Sequence, residues 1–324
     1  MEYFLIDTSK DTYYPRPEGT RLINSPASSR KPLVWLRGAW RAVNMTNADD
    51  LLLCYLDIQA VLCHWISRLT FRRRRIVAIN ILLKDKPTAK NRIVSQLYKS
   101  ALSSPDFHAT VTSPEYGDWL NNKFNRQFTY YHLPDLYVYD NIYTSFDNST
   151  PEIPTIFCGG HNGRDWNKMI AIAREMPGTK FKFILPTSAW ESIHTRFPAN
   201  VTAMHDIPYD KFISEMASSS LVSLPLDTEA PAGLIVMFQA AALGKPVVTS
   251  DTVTTRAYIS PDMADAALVE SADPADWATV INDMLAKKTS PDSTSPRLID
   301  RLKKDCNRHV YTRHLENLIA LYKQ

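Results

Sequence analysis

No run of the 324-residue chain approaches the roughly 20 unbroken apolar residues of a membrane span, which argues against a helical membrane protein. Cysteine is scarce: Cys54, Cys63, Cys158 and Cys306 sit in apolar or helical contexts without C-x-x-C spacing. That pattern predicts reduced thiols in a cytoplasmic protein and no zinc site. The opening residues Met-Glu-Tyr-Phe-Leu-Ile-Asp have neither the basic start nor the apolar run of a secretory signal, and read as a strand. No repeat with a period of roughly 20 to 50 residues recurs, so a solenoid is not expected. Helix-turn-helix, RNA-binding and zinc-finger patterns are all missing, so no nucleic-acid partner is expected. An early G-x-G-x-x-G fingerprint with an acidic residue about 20 positions later is missing too, which argues against a dinucleotide oxidoreductase.

What is present is ordinary for a globular protein: 44% hydrophobic and 22% charged residues, enough chain for two domains of roughly 150 residues. The net charge is only +3, but its distribution is uneven. Arg68, Arg72 to Arg75, Lys84, Lys86, Lys90, Arg92 and Lys99 gather in the first half. They form either a solvated basic loop before a strand or a patch attracted to an anionic membrane, each charge contributing about 1 kcal/mol.

Short apolar runs alternate with helix-length amphipathic stretches. In the first half strands are expected at Tyr3–Ile6, Leu33–Leu36, Leu51–Tyr55, Ile76–Leu82, Ala109–Thr112 and Phe128–His132, with helices at Lys90–Leu102 and Pro114–Lys123. Ser113 before Pro114 supplies an N-cap and a first-turn proline. The second half predicts strands at Thr155–Cys158, Phe181–Leu185, Val201–Met204, Leu221–Leu224, Pro246–Thr249 and Ala267–Val269. Helices are expected at Asp165–Glu175, Ala189–Arg196, Tyr209–Ser218, Leu234–Leu243 and Pro274–Lys287. A linker is expected at 140–154, a polar stretch at 289–296, and one long final helix at 297–322. The alternation implies α/β architecture: two Rossmann-like, doubly wound domains with ligands at the carboxyl ends of their strands.

Two loops carry the chemistry for that position. In "IFCGGHNGRDWNKM" (156–169) a strand runs into Gly159-Gly160, then Gly163-Arg164, then a helix. Glycines let the backbone approach a ligand, the helix start offers unpaired N–H groups, and Arg164 can pair with phosphate oxygens. Lys168 lies one turn further on. In "APAGLIVMFQAAALGKPVVTSD" (230–251) a small-residue turn at Gly233 leads into an apolar helix, Gly244 stops it, and Pro246 opens a strand. Gln239 is the one polar side chain inside that helix. It is either solvent-facing or a ligand-hydroxyl binder, since a buried amide needs partners.

"GLIVMFQAAALGKPVVTSD" resembles the donor-site motif of family-4-type (group 1) glycosyltransferases of the GT-B fold, and "FCGGHNGRDW" is similar to the glycine turn opening their nucleotide domain. The resemblance covers about Thr155 to Asp276, and the first half only in layout. It implies two Rossmann-like domains facing a cleft: an acceptor domain at 1–148, a donor domain at 149–308, and a final helix at 309–324 packing back on the first. Arg164 with Lys168 would neutralise the donor diphosphate, whose phosphates the backbone amides of Gly233 and Leu234 would hold, with Gly160 and Ala232 also on the donor side. Gln239 stands where the family has a ribose-binding Glu, and the loop His205–Tyr209, with His205 and Ile207, would lie beside the nucleobase. The family's Glu-x7-Glu pair is missing, because Pro231 stands eight residues before Gln239. Asp227 and Glu229 are the substitutes for the sugar-contacting carboxylate, with Glu229 the catalytic candidate.

On the acceptor side the candidates are Gly38 and Trp40 in a small-residue loop, Asn80 at a strand end, and Asp57. Asp57 is either a general base or the N-cap of a helix over Ile58–Leu69. No D-x-D motif lies in a suitable loop, so no metal and no cofactor are expected, the nucleotide-diphosphate sugar being the donor substrate. The implied activity is metal-independent, hexosyl-type sugar transfer to a glycan or polyprenyl-linked acceptor in surface polysaccharide synthesis, in the cytoplasm at the inner membrane face. The alternative is a catalytically inactive GT-B-like subunit that partners another glycosyltransferase.

Overall fold

The computed structural model describes residues 1–7, 14–24, 32–83, 88–140, 146, 151–287 and 295–322. Lys84, Lys86, most of the expected linker and most of the polar stretch at 289–296 lie outside the described residues. The chain divides into two compact units: Met1–Leu136 with Cys306–Gln324, and Tyr137–Asp305.

Unit 1 is a six-stranded parallel sheet ordered β2-β1-β3-β4-β5-β6. Its elements are β1 (Tyr3–Asp7), β2 (Arg21–Asn24), α1 (Pro32–Met45), β3 (Leu51–Cys54), α2 (Asp57–Leu69), β4 (Arg75–Ala78), α3 (Ala89–Leu102), β5 (Phe107–Val111), α4 (Pro114–Phe124) and β6 (Tyr130–His132). Runs such as Leu51–Cys54 and Ile76–Ala78 are apolar at every position because helices cover both faces of a parallel sheet. Leu53 stands opposite Leu5 on one side and Val77 on the other. Ser113 caps α4 by accepting from the Tyr116 N–H at 3.2 Å, with Pro114 in the first turn.

One expectation for this half needs correction, and one strand was not expected. Leu33–Leu36 is helix, the start of α1, not strand. Four apolar residues in a row do not separate the two periods. The period that decides runs further on, where Ala39, Ala42 and Val43 are fully buried and α1 packs on α2. The strand β2 went unforeseen because only Ile23 of its described side chains is buried.

Unit 2 is a second parallel six-stranded sheet, ordered β12-β11-β10-β7-β8-β9. Its strands are β7 (Thr155–Gly159), β8 (Lys180–Leu185), β9 (Val201–His205), β10 (Leu221–Leu224), β11 (Val247–Ser250) and β12 (Ala266–Val269). Its helices are α5 (Trp166–Glu175), α6 (Thr187–Ser192), α7 (Tyr209–Ala217), α8 (Leu234–Ala242), α9 (Pro274–Lys287) and α10 (Leu298–Asp305). Strand side chains alternate between faces. Ile156 and Cys158 face α5 and α9, in a core with Met169, Phe181 and Trp277, while Phe157 meets Phe212 of α7 edge-on at 5.2 Å. The strand order reverses at β7 and β10, so the loops after these neighbours lead to helices on opposite faces, the place where such sheets bind ligands.

The expected single C-terminal helix is two. The chain breaks at Cys306–Asn307, and the Asn307 side chain starts α11 (Arg308–Ala320) by accepting from the Val310 N–H at 3.0 Å. The amphipathic helix α10 packs on α8 in unit 2, whereas α11 belongs to unit 1. All four cysteines are free and buried. Among the described residues no helix is long and apolar enough to cross a membrane.

Candidate functional site

The loops after β7 and β10 are laced together in unit 2. The Asp165 N–H donates to Pro225 O at 2.9 Å, the Asp227 N–H donates to Gly163 O at 3.0 Å, and Arg164 bridges Leu226 in antiparallel fashion. Gly163, at φ +65°, permits this contact, since a Cβ there would stand 2.6 Å from Thr228 Cγ2 and 2.7 Å from Ala232 Cβ. The second loop is also pinned from β11, where Ser250 Oγ accepts from the Leu226 N–H at 2.8 Å.

Arg164 lies at the centre of this lacing and is only 7% exposed. Its Nε donates to Gly159 O at 2.9 Å and its Nη1 to Asn162 O at 3.1 Å. Burial pulls the guanidinium below its usual range while Cys158 and Asp227 act in the opposite sense, and an arginine stays charged throughout. A Cβ on Gly160 would stand 2.8 Å from Arg164 Nη2, and one on Gly233 3.1 Å from Nη1. The guanidinium therefore lies against the turn that opens α8. Gly233, at φ +78°, is the N-cap of that helix and no side chain caps it. The first-turn amides of a helix have no intrahelical acceptors and carry its positive end. A fixed cation and a helix N-terminus thus converge at the carboxyl end of the sheet, which suits an anion.

The other expected donor-side residues divide. Gly160, Arg164, Asp227, Ala232, Gly233 and Leu234 come together, with Asp227 exposed. Lys168 does not join them: it follows the first turn of α5 onto the α9 side, where its Nζ lies 5.9 Å from the Trp277 ring centroid. Glu229 is tied into the loop after β11, its Oε2 accepting from the Val253 N–H at 2.9 Å and its carbonyl from Thr254 Oγ1 at 2.9 Å. His205 ends β9 with its ring tilted against that of Trp190 at 4.9 Å, and Ile207 is half-buried. Gln239 is buried rather than solvent-facing, and its Nε2 donates to the Tyr209 hydroxyl at 3.0 Å. Tyr209, itself 53% exposed, ends the loop expected beside the nucleobase, but it stands 30 positions away from Gln239, so nothing in the sequence pointed to this bond.

In unit 1, Gly38 and Trp40 leave the acceptor-side set, because both lie on helix α1 and not on a loop at a strand end. Gly38 is buried and Trp40 is 54% exposed. Asp57 begins α2 and is buried. One oxygen accepts from its neighbour Ile58 N–H at 2.8 Å and the other from Leu82 N–H at 2.7 Å, and the Tyr98 hydroxyl also bonds it. Those bonds hold the segment after β4 against α2. Asn80 stands just beyond β4 in the left-handed region at φ +48°, its amide oxygen accepting from Thr110 Oγ1 at 2.9 Å. Its Nδ2 donates to Asp135 Oδ1 at 3.3 Å. Asp135, half-buried beyond β6, was not singled out by sequence; burial raises its carboxyl from 3.8 to about 6. Among the described residues, no three His, Cys, Asp or Glu side chains are grouped to hold a metal ion.

The family model described as "Glycosyl transferases group 1" matches residues 174–287, from the end of α5 through α9. By sequence, no curated protein matches. Among solved structures, sucrose-phosphate synthase from Thermosynechococcus elongatus is similar with a TM-score of 0.70 at 14% identity, covering 98% of this chain and 88% of that one. Anabaena Alr3699/HepE in complex with UDP-glucose aligns with a TM-score of 0.68 at 13% identity, over 99% of this chain and all of the other. WaaG, a glycosyltransferase involved in lipopolysaccharide biosynthesis, aligns at 0.60 and 14%, over 97% and 89%. Residues 174–287 therefore carry the group 1 glycosyl transferase signature, in a chain with the two-sheet α/β fold of the GT-B glycosyltransferases.

Proposed function

We propose that this chain moves a hexosyl group from a nucleotide-diphosphate sugar to a glycan or polyprenyl-linked glycan in surface polysaccharide synthesis, in peripheral contact with the cytoplasmic face of a membrane. The observation that carries the reading is the guanidinium of Arg164 held against Gly233 at the uncapped start of α8. The difficult step is departure of the nucleoside diphosphate, which gathers negative charge on its phosphate oxygens. A cation already locked by two backbone carbonyls, with helix amides beside it, stabilises that charge without reorganising. This supports a reaction that needs no bound metal.

In this reading Gly160, Ala232, Gly233 and Leu234 line the diphosphate, and Gln239, steadied by Tyr209, reads the ribose. The loop from His205 to Tyr209 flanks the base. Asp227 takes the sugar hydroxyls, since the Glu229 carboxylate already holds the Val253 amide. On the acceptor side we assign the proton-accepting role to Asp135, positioned by Asn80. Its raised pKa suits a base working near neutrality, and the bonds of Asp57 serve the fold. The non-catalytic subunit is the weaker reading, because the site keeps its cation and its open helix start. The test is a calorimetric panel of UDP, GDP and ADP with and without EDTA. Binding of one nucleotide in the micromolar range, unchanged by EDTA, is expected; binding of none refutes the proposal.

A further inference from the structure

We propose that the outer face of α1 and the turn after α2 form the patch by which this chain seats on an anionic lipid surface. The inference rests on the membrane contact proposed above and names its site. On α1, Leu33, Leu36 and Trp40 are 68%, 44% and 54% exposed, and Arg37 and Arg41 are exposed beside them. Positions 33, 37, 40 and 41 fall on one arc of a helix, and Leu36 stands at the border between it and the buried arc of Ala39, Ala42 and Val43. A surface helix with one apolar arc turned into its own domain and a second turned outward has, among the described residues, an unpartnered face.

The turn after α2 extends this face. Arg72 Nη1 donates to Asn44 Oδ1 at 2.5 Å and Arg74 Nε to Val43 O at 3.1 Å, joining the turn to the last turn of α1. Beside those ties Phe71 is 98% exposed and Leu69 74% exposed. Phe71 has φ +53°, a conformation that is uncommon for a bulky L-residue and that points to a functional constraint. The apolar tips are interleaved with Arg37, Arg41, Arg68 and Arg72, all exposed, and no acidic residue occurs in 32–45 or 67–75. Apolar tips to enter the headgroup boundary with arginines to meet the headgroups are the two halves of interfacial binding, and Trp is favoured at that depth. A second copy of the chain is a poorer occupant. A two-fold interface through this face would set the arginines of one copy against those of the other.

The test is co-sedimentation of the full chain with phosphatidylcholine vesicles, with and without half phosphatidylglycerol, at about 0.1 M salt. Wild type is expected to bind the anionic vesicles at least tenfold better than the neutral ones. The Arg37→Glu/Arg41→Glu and Leu36→Ser/Trp40→Ser/Phe71→Ser variants each lose at least tenfold, and Arg37→Lys/Arg41→Lys retains binding within about threefold. Unchanged melting temperatures are expected in every variant, because the substituted side chains are exposed. Variants that bind like wild type would overturn this surface while leaving membrane contact standing. Wild type that binds neither vesicle would overturn the membrane contact with it, and nucleotide binding is read separately. A wild-type dimer that the serine variant dissolves, without vesicle binding, would overturn the proposal in favour of self-association.

Discussion

Replacing Arg164 by Ala removes the one buried cation at the start of α8 while leaving the helix itself intact. Two consequences separate. The fold loses the bonds from Nε to Gly159 O and from Nη1 to Asn162 O, charge-assisted bonds contributing about 1.5–3 kcal/mol each, against which relief of a buried charge offsets a part. A net loss of about 2 kcal/mol is expected, read as a lower urea midpoint. Ligand binding loses more in proportion. A unit charge ~5 Å from a phosphate oxygen, at an effective dielectric of ~20, contributes ~3.3 kcal/mol, or ~250-fold in Kd. A nucleoside diphosphate at ~100 times its Kd stabilises wild type by ~2.7 kcal/mol. The same concentration would then lie at ~0.4 Kd for the variant and stabilise it by only ~0.2 kcal/mol. The assay is differential scanning fluorimetry with and without the nucleotide bound best, scoring the increment due to ligand so that the altered baseline drops out. Arg164→Ala retaining the full increment would refute the placement of the diphosphate, whatever its baseline stability.

Asp135→Asn should separate stability from activity. A carboxyl raised from 3.8 to about 6 binds its proton more tightly folded than unfolded, so the stability it confers is present below about pH 4 and lost as pH rises to 6. The variant is therefore expected to gain up to ~3 kcal/mol over wild type near pH 7 and nothing near pH 3, less whatever solvent screens at this half-buried site. Its turnover should fall on the order of 10²-fold; a pH-independent stability difference, or full turnover, contradicts the assignment. Gly163→Ala drives a Cβ to within 2.6 Å of Thr228 Cγ2 and 2.7 Å of Ala232 Cβ at φ +65°. It should cost ~3 kcal/mol or more in urea unfolding and weaken nucleotide binding. Gly178→Ala, with nothing within 4 Å, is the control and should stay within ~0.5 kcal/mol.

The second sheet was legible nearly strand by strand, because its short, mostly apolar strands alternate regularly with helix-length stretches. Leu221–Leu224 and Pro274–Lys287 fall where the pattern put them. The proximity of Arg164 and Gly233 was implied by the family resemblance alone, since β7 and β10 are neighbours in the sheet but not in the sequence. Misreadings arose where an apolar side chain does something other than fill the core. Leu33 and Leu36 point outward, so the inside-apolar rule turned a helix into a strand and carried Gly38 and Trp40 to the wrong place. Lys168 was misplaced because spacing along a helix does not say which charges the neighbouring helix leaves room for, and Trp277 of α9 receives it. The Tyr209–Gln239 and Asp135–Asn80 pairs join residues 30 and 55 positions apart, beyond the reach of any local pattern.

The break at Cys306–Asn307 governs the order in which the chain can assemble. Because α11 returns to the first unit, the whole of Tyr137–Asp305 is an insertion within it. The inserted body is contiguous, and during synthesis it has every strand of its own sheet before α11 leaves the ribosome. The first body must wait, with the places of Tyr311, Leu315, Leu318 and Ile319 exposed to water. Nascent chains stalled before 306 should therefore expose a sticky, unfinished amino-terminal half beside a finished neighbour, and chaperones would find their substrate there.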